Sequence, residues 1–87
     1  MLIEQVVWDL DDDPDGNVQH IAEHGLTVDE VEDVLYAAEE VLASHSSGRP
    51  ITFGETRTGR FIAVVFEIIE EDPLVVYPVT AYETESS

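Results

Sequence analysis

The sequence predicts an α+β fold: an N-terminal strand, two helices, then a three-stranded antiparallel meander, with the helices packed on one face of the sheet. Two observations lead there. Helix-start signals and helical spacing of apolar residues are confined to residues 13–42, whereas β-branched and aromatic runs separated by turn signals fill residues 51–80. A chain of 87 residues buries one modest core, so both patterns belong to a single domain spanning residues 1–87. Apolar residues make up 44% of the chain and fall in patterned blocks, which argues for a folded protein.

Taken in order, residues 2–8 form a short first strand, since β-branched and aromatic side chains dominate and no helix cap is present. The acidic stretch Asp9–Asp15 stops it. Asp13 as N-cap and Pro14 at the first helical position open a helix that runs to about His24, with Gly25 as its left-handed C-cap. Thr27 and Glu30 then make a capping box. The second helix carries Val28, Val31, Val34, Leu35, Ala38, Val41 and Leu42 on one face. Residues 43–50 read as a loop, 51–55 as a strand and Thr58-Gly59 as a hairpin turn. Phe61–Ile69 is apolar almost throughout, as a central strand covered on both faces would be. Leu74–Thr80 is the last strand, and Pro78 places it at an edge or a bulge because proline donates nothing to a ladder. Residues 83–87 are expected to be a disordered tail.

Charge bounds the function. Twenty Asp and Glu face three arginines (Arg49, Arg57 and Arg60) and no lysine, for a formal net charge of −17. Nucleic-acid affinity comes largely from cations that displace counterions, so RNA and DNA groove binding is disfavoured, although a small site built on the arginines stays open. The acidity suits a salty cytoplasm; it also suits a basic partner. No cysteine is present, which removes disulfides and thiolate metal sites. The start of the chain has no basic region followed by an apolar stretch, and the apolar run Phe61–Phe66 is too short to span a bilayer; no membrane association and a cytoplasmic location are expected.

Several residues match a known pattern: Trp8-Asp9, Asn17, His24-Gly25, Leu26-Thr27, Glu30, Gly54, Thr56, Gly59-Arg60 and Val79-Thr80-Ala81. In order and spacing they resemble the BrnT family of small bacterial toxins, over about residues 6–83. The resemblance implies a RelE-like fold, endoribonuclease activity and a DNA-binding antitoxin as partner. It implies His24 and Arg60, which match the family's motif positions, as catalytic residues; apart from the resemblance, Arg49, Arg57 and Tyr82 are candidates for substrate binding by proximity, with His45 and Tyr77 as further polar groups. Glu23 stands where the family usually has lysine, and Tyr82 follows Ala81 where it usually has arginine. Two cations that would face RNA are thereby absent, which also points to a non-catalytic, acidic protein-binding module on the same fold.

Each candidate has a plainer reading. His24 is of a type that suits proton transfer, but its place in the last turn before Gly25 suits the negative end of a helix dipole better. Arg60 suits a phosphate clamp or a carboxylate partner. Ser44-His45-Ser46-Ser47 has no acidic residue to orient a catalytic histidine. Asp11, Asp13, Asp15 and Gly16 match the first half of an EF-hand loop, yet Ala22 occupies its twelfth position, so only weak cation binding by the Asp9–Asp15 cluster is expected. His20 and His24 lie one helical turn apart with no third metal ligand evident. No cofactor is implied.

Overall fold

The structure, a computed structural model, describes residues 2–43 and 48–85. It contains β1 (Gln5–Val6), α1 (Asn17–Glu23), α2 (Val28–Tyr36), β2 (Leu42–Ala43), β3 (Pro50–Glu55), β4 (Phe61–Glu71) and β5 (Leu74–Glu83). The α+β class holds, but the order of elements differs from expectation by one added strand. Among the described residues five strands form one mixed sheet in the order β1-β5-β4-β3-β2, with β1 parallel to β5 and the other neighbours antiparallel.

The helices cover one face. Ile21, Val31, Val34 and Leu35 pack there against Ile62, Val64, Phe66 and Val76. Alternation along β4 turns Ala63 and Val65 to the opposite face, where they cluster with Ile51. Phe53 and Tyr82 flank Ala63 across the sheet and leave that alanine buried, although no helix among the described residues covers it.

Four boundaries depart from the sequence reading. The first strand has only two paired residues, bracketed by main-chain bonds from Glu4 N to Leu74 O and from Val7 N to Val76 O. The first helix begins at Asn17 with Gly16 as N-cap, because Asp13 is used in a local turn: its Oδ1 accepts from Asp15 N and its C=O from Gly16 N. The second helix stops at Tyr36. Thr52 Oγ1 donates to Glu40 O at 2.9 Å, and Leu42 has left the helical stripe to pair with Ile51. The last strand continues through Glu83, and Thr84 N donates to Phe61 O, so the expected tail is ordered to that point; residues 86–87 lie outside the described residues.

Other local signals translate directly. Gly25 has φ 77°, with Gly25 N bonded to Ala22 O and Leu26 N to Ile21 O, a Schellman ending whose Ile21 and Leu26 join the core. Pro78 occupies a register shift: Val65 pairs with Thr80 and Phe66 with Pro78, leaving Val79 as the extra residue.

The N-terminal segment is held by one buried amide. Asn17 Oδ1 accepts from Asp9 N at 2.9 Å, while Nδ2 donates to Val7 O at 3.1 Å and Pro78 O at 3.0 Å. In return, Asp9 Oδ2 accepts from Asn17 N at 2.9 Å and from the Tyr77 hydroxyl at 2.5 Å. The bond to Asp9, followed by burial, pushes the Tyr77 phenol up to about 12; the same bond and the Asn17 N–H hold the Asp9 carboxyl below its ordinary value. Gly16 is required beside this knot, since a Cβ there would lie 2.7 Å from Asp9 Cβ. Replacing Asn17 by Ala strands one N–H and two carbonyls, so urea unfolding of Asn17→Ala should show a loss of about 2–4 kcal/mol. Asn17→Asp should be no better, because its carboxylate would face two carbonyl oxygens.

Candidate functional site

Arg57 and Arg60 flank the β3–β4 turn, and both point back over the start of α2. The turn is closed by Thr56 N to Arg60 O at 2.8 Å and Gly59 N to Thr56 O at 3.0 Å, with Gly59 at φ 87°. Together with Thr27, Asp29, Glu30, Asp33 and Thr58, the two arginines line a cleft of about 450 Å³. Five of its seven lining residues carry charge.

Its centre is Glu30, which is 7% exposed. The capping box is complete: Glu30 N donates to Thr27 Oγ1 at 3.3 Å, and Thr27 N donates to Glu30 Oε1 at 3.1 Å. The same carboxylate also accepts from Thr58 Oγ1 at 2.9 Å and from Arg60 Nη1 at 3.3 Å. Burial works against its ionisation, but the Thr58 hydroxyl, the Thr27 N–H and the Arg60 guanidinium outweigh burial and hold the carboxyl below its ordinary value.

Arg60 is held by three groups of its own chain, with its side chain still 30% exposed. Nη1 donates to Gly25 O at 2.7 Å, the carbonyl that follows the end of α1, and Nη2 donates to Glu83 Oε1 at 3.1 Å on β5. One guanidinium thus ties the helix junction to α2 and to the last strand. Arg57 is held by Asp33 through Nε at 3.0 Å, Nη2 at 2.5 Å and its main-chain N at 3.2 Å. Arg49 donates to Glu67 Oε1 at 3.1 Å on another part of the sheet. Each arginine of the chain therefore meets a carboxylate of the same chain.

No protein-family model matches this chain, no curated protein matches it, and no solved structure matches it. The likeness to BrnT toxins accordingly rests on the residues quoted above.

Of the predicted site residues, Arg57 and Arg60 share the cleft, and His24 sits exposed as the C-cap of α1, next to the Gly25 carbonyl that Arg60 grips. Its ring meets that of His20 edge-on at 5.6 Å. Tyr82 does not join them. It pairs with Ala63 on the face away from the helices, and its neighbour Glu83 reaches Arg60 instead. Arg49 is also remote, Tyr77 belongs to the Asp9–Asn17 knot, and His45 lies outside the described residues. Among the described residues no group of three or more His, Asp or Glu is placed to hold a metal ion, and no helix is long and apolar enough to cross a membrane. Asp9 and Asp13, from the acidic cluster, accept bonds from their own chain.

Sequence reasoning found the capping role of Glu30 but missed its pairing with Arg60, and missed Asp33 and Glu83 as arginine partners. Contacts spanning 23 to 30 residues leave no local signal.

For a carboxyl whose folded pKa is depressed, stability is fully present above the ordinary value of 4.5 and is lost as pH falls through the lower folded value. Glu30→Gln should therefore be less stable than the wild type near neutral pH, and the gap in denaturant midpoint should close below about pH 4. A gap unchanged by pH would remove the ionised carboxylate as its cause.

Proposed function

We propose that this chain is a non-catalytic, acidic protein-binding module on an α+β fold resembling that of the small ribonuclease toxins. The observation that carries the reading is the commitment of every arginine to an intramolecular carboxylate. Cleaving RNA without a metal requires charge on the scissile phosphate to be neutralised in the transition state. Here a phosphate would have to displace Glu30 from Arg60 or Asp33 from Arg57, in a protein whose overall field already repels it. The same field favours a basic protein partner and speeds encounter with it.

An endoribonuclease is the second reading, supported by one arrangement: the cleft gathers two guanidiniums and the hydroxyls of Thr27 and Thr58. Arg60 would bind phosphate there and His24 would move protons. An antitoxin is the partner class for this reading, and a basic protein of other kind for the first.

Tightly induced expression in bacteria separates the two. Under the binding-module reading, growth continues with the wild type, Arg57→Ala and Arg60→Ala alike, and the purified protein leaves RNA intact. Growth arrest by the wild type, relieved in either variant while circular dichroism shows that variant folded, would overturn it in favour of the ribonuclease.

A further inference from the structure

Strand β3 is covered on its outer side for only part of its length. Strand β2 pairs with it at Pro50 and Ile51, and from Thr52 to Glu55 β3 is the border of the sheet among the described residues. The direction of its main-chain groups follows from the turn. Thr56 and Arg60 form a hydrogen-bonded pair, so alternation along the antiparallel ladder makes Glu55–Phe61 and Phe53–Ala63 non-hydrogen-bonded pairs. The N–H and C=O of Phe53 and Glu55 accordingly point away from β4, as those of Ile51 do towards β2.

Beside this border runs a groove of about 260 Å³, lined by Ala37 and Ala38 at the end of α2, by Glu39 and Glu40, and by Phe53 and Gly54. Phe53 remains 45% exposed although its ring stacks on Phe61 at 6.5 Å. Glu39, Glu40 and Glu55 are exposed, and none takes part in the ion pairs of Arg49, Arg57 or Arg60 among the described residues.

We propose that the Phe53–Glu55 border of β3 receives an extended, basic segment of a partner protein as an added strand. The inference rests on the protein-binding reading above and gives it a location and a partner chemistry. Main-chain pairing supplies the attachment, and side chains at alternate positions supply the selection. A residue opposite Phe53 lies on the sheet face away from the helices, against the exposed ring. Its two neighbours lie on the helix side, where the stem of a lysine or arginine covers Ala37 and Ala38 while its charge meets Glu39 and Glu40. The fitting sequence therefore alternates basic and apolar residues. A second copy of this chain is a poor occupant, since β3–β3 pairing would bring Glu39, Glu40 and Glu55 of two strongly acidic molecules together.

The test titrates a short alternating lysine–valine peptide into the full chain, followed by amide NMR and calorimetry at physiological salt. The Phe53 and Glu55 amide signals should shift most. The same peptide, N-methylated on its pairing edge, should bind at least about tenfold more weakly. Glu55→Pro removes one outward N–H without removing a β3–β4 bond and should weaken the unmodified peptide to a similar degree, whereas Glu55→Gln should cost only about two- to threefold. Circular dichroism checks that both variants fold, and the N-methylated peptide tests the same point without any substitution. Equal binding of both peptides would overturn strand addition and leave charge attraction alone, with the acidic-module reading intact. Absence of binding by either peptide at millimolar concentration would overturn the proposed border site. A wild-type dimer converted to monomer by Glu55→Pro would overturn it in favour of a second copy.

Discussion

The carboxylate of Glu30 is the point on which the helical layer and the sheet depend together. It accepts the N–H of Thr27, the N-cap of α2, receives the Thr58 hydroxyl from the β3–β4 turn, and pairs with Arg60, which in turn grips Gly25 O after the end of α1 and Glu83 of β5. Apolar packing between α2 and β4 supplies most of the driving force but little direction. The polar junction supplies the direction: with Glu30 and Arg60 engaged, α2 has one place along the sheet and one angle at its start. Breaking a partly buried pair of this kind costs more than the pair's own attraction, because the partner left behind has lost its water.

A chain with −17 net charge must either solvate its carboxylates or give them donors. This one does both, and the division explains its surface. Asp9, Glu30 and Asp33 receive donors and tie distant segments; most of the remaining acids face water. With only three arginines, each one that ties segments already has a carboxylate beside it, although the Arg57 side chain stays 72% exposed.

What was legible in the sequence was local. The capping box at Thr27, the left-handed Gly25, the Gly59 turn and the irregularity at Pro78 each follow from the physics of a few consecutive residues. Phe61–Ile69 lies in the middle strand of the five, as its apolar content suggests, but the expected cover on both faces reaches only Ile62–Phe66: Ile68 and Ile69 are exposed where β4 runs on beyond the core. The failures share a different cause. Leu42 fits the apolar stripe of α2 as well as it fits a strand, and only pairing with Ile51, nine residues away, decides between them. Asp13 is a good N-cap by type, but Asn17 is fixed by bonds to Val7 and Pro78, so the helix starts where that amide is held. Within the candidate site, residue types identified the arginines, whereas their partners come from other elements and were invisible to spacing.

An exposed strand border is a hazard, because its outward N–H and C=O groups offer pairing to any extended chain, including copies of the same protein. Charged residues placed along such a border are a recurrent safeguard, and Glu39, Glu40 and Glu55 fit that role beside Phe53. The safeguard is selective by sign. Self-association brings like charges into register and is opposed, while a basic strand finds both the unpaired main chain and the counter-charge. Phe53 adds a second filter, since its half-exposed ring favours an apolar residue opposite it over a run of uninterrupted charge. Under the proposed strand addition, protection against aggregation and recognition of a basic partner are therefore consequences of one arrangement, and no additional machinery is needed to turn the first into the second.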